Sequence, residues 1–107
     1  MIKAHFQVNA DGKFVMIELT GHADSGDYGH DIVCAAVSAV VATCVNALSS
    51  VAHVKPHEES DDEQGGFIRV TEIGSDHDSQ IICQTLLDGL LSIQQQYGQY
   101  LEVKMFN

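Results

Sequence analysis

The sequence predicts an α+β fold in two layers, with two helices packed on one face of a mixed, mostly antiparallel sheet of about five strands. Three observations predict it. Strand-type alternation and helix-type stripes follow one another as strand, strand, helix, strand, strand, helix, strand. The chain has 107 residues, 45% of them apolar, which is one core and one domain over residues 1–107. Two amphipathic helices then cover one side of an antiparallel sheet in the usual α+β manner. The order of strands within the sheet is not legible from the pattern.

The first strand is clean. Ile2, Ala4, Phe6 and Val8 alternate with Lys3, His5 and Gln7, and Asn9-Ala10-Asp11-Gly12 reads as a hairpin turn. The second strand runs from about Lys13 to Thr20, with Val15, Ile17 and Leu19 facing inward. Gly21 to His30 has three glycines, Gly21, Gly26 and Gly29, and no periodicity. A polar loop of this length in a compact domain is often functional. Asp31 is a good N-cap and opens an apolar run to Ala52. Val37, Val41, Val45 and Leu48 form its inward stripe, yet Ile32, Ala35, Ala39, Val40 and Ala42 make the other side apolar too. Such a helix is either central to its fold or covered by a second subunit. In so short a chain this predicts a homodimer, with Ala39 or Val40 in the interface.

His53 to Glu58 reads as a short strand, and Pro56 puts it at a sheet edge. Glu58 to Gln64 reads as an acidic, solvated hairpin end closed by Gly65-Gly66. Phe67 to Ile73 is the next strand. Ser75 or Asp76 caps a second helix with the stripe Ile82, Leu86, Leu90, Ile93 and Tyr97, and Gly98 ends it. Tyr100 to Phe106 alternates again, with Leu101, Val103 and Met105 on one face.

Charge narrows the functions. Against 5 Lys+Arg stand 15 Asp+Glu, a net charge of −10. A direct nucleic-acid partner needs a basic face to neutralise phosphates, and an anionic membrane surface needs the same. A basic peptide or protein suits the balance better. No run reaches the roughly 18 apolar residues of a membrane span, and Met1-Ile2-Lys3-Ala4-His5 lacks the apolar core of a signal peptide. A cytoplasmic protein is therefore expected. Cys34, Cys44 and Cys83 are an odd number without CxxC spacing. On one helix, Cys34 and Cys44 lie about 15 Å apart, too far for a disulfide. Reduced thiols in a reducing compartment follow.

Chemistry concentrates between Gly21 and Ser38. With Asp31 as N-cap, Cys34 falls at the third helical position, where unpaired N–H groups and the dipole favour a thiolate. His22 ends a strand beside Gly21, and a His within hydrogen-bond reach of a Cys is the minimum machinery of a thiol peptidase. Ser38 lies one turn beyond Cys34 and is placed to orient the His or line a pocket. Asp31 is ambiguous, since its charge beside the thiol opposes ionisation. Zinc on His22, His30 and Cys34 matches no common ligand spacing and lacks a fourth donor, so no metal or other cofactor is expected. A cysteine-phosphatase cradle fails because the only arginine, Arg69, lies far along the chain in a strand.

Gly21-His22-Ala23, then Gly29-x-Asp31-Ile32-Val33-Cys34-Ala35-Ala36-Val37-Ser38, resembles the signature of the bacterial ribosomal-processing cysteine proteases, the Prp family. The resemblance extends over the whole chain. It implies a homodimeric cysteine endopeptidase with Cys34 as nucleophile and His22 as proton donor and acceptor. It also implies a substrate: the N-terminal extension of large-subunit ribosomal protein number twenty-seven, with aromatic residues before the cut and basic residues after it. A loop from Ala23 to His30 is then expected to gate the site, through Gly26 and Gly29, with Tyr28 as its one aromatic side chain. The competing expectation is a non-enzymatic acidic protein that escorts a basic ribosomal partner.

Overall fold

The computed structural model describes residues 1–21, 28–61 and 66–107, with residues 28–31 described by their backbone. The elements are β1 (Ile2–Val8), β2 (Phe14–Thr20), α1 (Tyr28–Ser50), β3 (His57–Asp61), β4 (Phe67–Thr71), α2 (His77–Tyr97) and β5 (Leu101–Phe106). Among the described residues the strands form one five-stranded sheet in the order β3-β4-β2-β1-β5. β1–β2, β2–β4 and β3–β4 pair antiparallel, and β1–β5 pair parallel. The two-layer α+β architecture is therefore the one expected.

β1 follows its alternation, with Ile2, Ala4 and Phe6 buried. The turn is held by Asn9, whose Oδ1 accepts the N–H groups of Asp11 and Lys13, both at 3.0 Å. β2 departs from expectation at its start. Gln7 pairs with Met16 but Val8 pairs with Phe14, so Val15 is the extra residue of a bulge. The bulge flips the phase: Phe14 is buried in place of Val15 and meets the Phe6 ring edge-on, centroids 5.9 Å apart. Gln80 of α2 then serves the bulged backbone. Its Oε1 accepts the Phe14 N–H at 2.7 Å and its Nε2 donates to the Phe14 carbonyl at 3.0 Å.

α1 begins at Tyr28 and ends at Ser50, where the sequence suggested Asp31 to Ala52. Asp31 thus lies within the first turn and is not the N-cap. A carboxylate is favourable in that turn, so it does not mark a boundary. Val37, Val41, Val45 and Leu48 are buried as expected, joined by Val33. Contrary to the expectation that no run is long enough, the segment Ile32–Ser50 is long and apolar enough to cross a membrane, by length and composition only, because its few polar residues are uncharged. Here its valine stripe packs in the core formed with the sheet. Ile32, Ala35, Ala39 and Ala42 are exposed, but Val40 is half-buried and sits where a Cβ on Gly89 of α2 would meet its Cγ1 at 3.2 Å. Val40 therefore belongs to the helix–helix contact within the protomer.

β3 starts at His57, immediately after Pro56, and occupies the sheet edge. Proline donates no hydrogen bond and fixes its φ, so pairing begins beyond it. Glu58 to Asp61 are consequently strand residues and not part of a turn. A short, charged edge strand resists pairing with other chains. In α2, Asp76 is the N-cap and accepts the Ser79 N–H at 3.0 Å. Hydrogen bonding from Ser79, through its side chain first and its backbone N–H second, holds the Asp76 carboxyl below the usual range. The buried stripe is Ser79, Cys83, Leu86, Leu87 and Leu90, shifted from the expected one, with Tyr97 at the surface. Gly98 is the C-cap but keeps right-handed geometry.

Two neighbouring substitutions separate the helix faces. Val40→Glu forces a charge against Gly89 and should lower the urea midpoint sharply, by the equivalent of about 2–4 kcal/mol. Ala39→Glu on the exposed face, compared at a protein concentration low enough that both variants are single chains, should shift it by about 0.5 kcal/mol or less. Equal losses in the two variants would contradict the packing.

Candidate active-site groove

α1 and the β3–β4 side of the sheet enclose an open groove of about 510 Å³. Along its helix wall Cys34, Ser38, Ala42 and Asn46 recur every four residues, beside Val37, Val41 and Val45. Side chains four apart share one helix face, so this row looks into the groove as a unit. The sheet wall is Leu19, Phe67 and Ile68, with Glu58 and Ser60 from the edge strand. Gly21 and Gly66 stand at one end.

Gly21 is fixed by its surroundings. Its φ is +86°, and a Cβ there would collide with the Met1 carbonyl oxygen. Its N–H donates to the Gly66 carbonyl at 3.0 Å. The end of β2, the approach to β4 and the start of β1 thus converge where the chain passes on to residue 22.

The groove brings together three residues singled out in the sequence: Gly21, Cys34 and Ser38. His22 and Gly26 lie outside the described residues. Tyr28, Gly29 and Asp31 are described by backbone only, as the first turn of α1. Cys34 is half-buried and is the seventh residue of α1, not the third. The dipole effect fades within the first turn, so helix position supplies little of any thiolate stabilisation. Activation then needs a partner side chain acting as base.

The other two cysteines are chemically quiet. Burial pushes the Cys44 thiol up. Burial first, and then the nearby Cys44 and Asp76, push Cys83 up to about 12. The three cysteines form no disulfide. Among the described residues no cluster of His, Cys, Asp or Glu is arranged to hold a metal ion.

Asn46, Ser60, Glu58, Phe67 and Ile68 line the groove without having been singled out. Asn46 was visible as the polar member of the four-residue row. Glu58 was hidden inside a run of acids that reads as a solvated turn.

A thiol set in the wall of an open, largely apolar groove, on a two-layer α+β scaffold, has the layout of a cysteine-dependent peptidase. The family model of the cysteine protease Prp matches residues 1–102, and the chain belongs to that family. A ribosomal processing cysteine protease of Staphylococcus aureus is 41% identical over 100 residues, covering 92% of this chain and 93% of its own. The protein of the same name from Bacillus subtilis is 32% identical over 91 residues, 85% and 81% of the two chains. A Streptococcus mutans crystal structure superposes with a TM-score of 0.91 at 34% identity, over 99% and 94% of the chains. The Staphylococcus aureus protease with a covalently linked product peptide superposes with a TM-score of 0.88 at 36% identity, over 98% and 99%.

The thiols should separate by reactivity. Iodoacetamide at neutral pH, followed by peptide mass mapping, should label Cys34 first. Cys83 should stay unlabelled in the native protein, because a raised pKa keeps the thiolate scarce until the pH nears about 12. Labelling of Cys83 ahead of Cys34 would contradict this.

Proposed function

We propose that the chain is an endopeptidase that removes the N-terminal extension of large-subunit ribosomal protein number twenty-seven during ribosome assembly. The observation that carries the reading is Cys34 in the wall of a groove roomy and apolar enough for bulky substrate side chains. Relatives named ribosomal processing proteases, and a Staphylococcus aureus structure with a substrate peptide, supply the substrate class. The chain's net charge of −10 suits a basic ribosomal protein.

In this reading Cys34 is the nucleophile and His22 its proton-transfer partner. His22 takes the thiol proton, and the sulfur attacks the scissile carbonyl carbon to give a tetrahedral oxyanion. Collapse breaks the C–N bond as the imidazolium returns the proton to the leaving amine, leaving a thioester. Water, deprotonated by the same imidazole, hydrolyses the thioester and restores the thiol. Gly21, fixed by the Met1 carbonyl, sets the direction in which the chain enters His22. Ser38 and Asp31 are supporting residues, and the segment from Ala23 to His30, with Gly26, Tyr28 and Gly29, gates access. The protein acts in the cytoplasm as a homodimer. The exposed stripe Ile32, Ala35 and Ala39 supports the second subunit, and three cysteines without a disulfide support the reducing compartment.

Incubation with the extended ribosomal protein, followed by mass measurement, tests the reading. Cys34→Ser should abolish cleavage with the fold intact, and His22→Ala should lose about 10²–10⁴ in rate. Near wild-type cleavage by Cys34→Ser would remove the assignment.

Light scattering at micromolar concentration should give twice the 11.6 kDa chain mass. Ala39→Glu should bring it to one chain mass while remaining folded. A wild-type monomer would remove the dimer.

A further inference from the structure

The groove is apolar along its middle, and among the described residues it carries one carboxylate, that of Glu58. β3 presents alternate residues to opposite sheet faces. Glu59 faces away from the groove and is within 3.4 Å of Arg69, which also binds Glu18 at 2.7 Å. The sheet's one guanidinium is thereby engaged on the far face. Glu58, next in the chain, faces the groove, and among the described residues no ion pair or hydrogen bond engages its carboxylate. Glu58 is exposed, so the charge is kept in water and remains available to an incoming cation.

Its distance from Gly21, the residue before the proposed base in the chain, follows from strand geometry. Asp61 pairs with Phe67, which pairs with Thr20, next to Gly21; Glu58 pairs with Val70. Three residues of strand separate those two rows, about 10 Å. An extended peptide advances about 3.3 Å per residue, so a side chain there belongs to a residue about three positions from the cut. A peptide filling the groove would partly desolvate Glu58, which raises the worth of a cation and the cost of an acid.

We propose that Glu58 is a specificity residue of this peptidase, selecting a lysine or arginine side chain about three positions from the scissile bond. The proposal rests on the groove being the peptide site. It assigns the selection to one carboxylate, distinct from steering by the whole acidic chain.

The test is a peptide series of constant apolar sequence in which a single Lys, Ala or Glu is walked from two to five residues from the cut, on each side. At one position the wild-type protein should prefer Lys over Glu by about tenfold in kcat/KM at low salt, with the preference shrinking as salt rises. Glu58→Gln should bring that ratio near one, and Glu58→Lys should invert it. Glu59→Gln removes the same formal charge from the opposite face of the same strand and should keep the ratio. The proposal is overturned if no position shows a preference, if the preference survives Glu58→Gln, or if Glu59→Gln erases it equally. Absence of cleavage throughout the series would overturn the peptidase reading along with it.

Discussion

The seating of α1 governs the rest of the molecule. Val33, Val37, Val41, Val45 and Leu48 are all buried, and between them they fix the helix's rotation about its own axis. One face of a helix cannot turn without the others. With the valines held in the core, Cys34, Ser38, Ala42 and Asn46 are obliged to look into the groove, and Val40 is obliged to meet Gly89. Each buried valine contributes roughly 1.5–3 kcal/mol by area, so the helix is held far more firmly than any single polar contact could hold it. The site thus inherits its rigidity from the core, which suits a nucleophile that must stay aligned with its target.

The sheet supplies the second half of the arrangement and divides its charge by face. The face away from the helices carries the compensated group Glu59, Arg69 and Glu18. The face toward α1 is apolar except at the edge, where β3 turns Glu58 and Ser60 into the groove. A strand that protects an open sheet edge by being acidic therefore serves on its inner side as a wall of the groove. Two demands, keeping other chains from pairing and lining a groove, are met by one short segment because strand residues alternate.

Much of this was written plainly in the sequence. Period-two alternation gave β1, and the valine stripe gave α1 with its inward face. Asp76 and Gly98 delimited α2, and the motif around Cys34 gave the family. The errors have physical causes. A bulge shifts the inward phase by one residue without a local signature, so Val15 was taken for Phe14. Asp is as welcome in a helix's first turn as at its cap, which misplaced the start of α1 and overstated the dipole's hold on Cys34. The acids of β3 look like a turn because an edge strand needs no apolar alternation. The strand order, which decides what lies beside the groove, depends on contacts between distant segments and leaves no local trace. His22 and Gly26, the other residues that the sequence motif marks, lie outside the described residues.

The parallel pairing of β1 with β5 sets Ile2 beside Leu101, so the first and last strands described complete the same sheet. Met1, through its carbonyl, also lies against Gly21 at the head of the groove. β1 and β2 are joined by a short hairpin and can pair early, but the other edge of β1 stays open until β5, far along the chain, docks against it. Contacts this distant in sequence are slow to form, because a long loop must close before any of them is gained. β5 adds no residue to the groove, yet it completes the sheet that carries Gly21 by fixing the outer edge of β1. A groove at one edge of the sheet therefore gains its final alignment only when a strand at the opposite edge has docked.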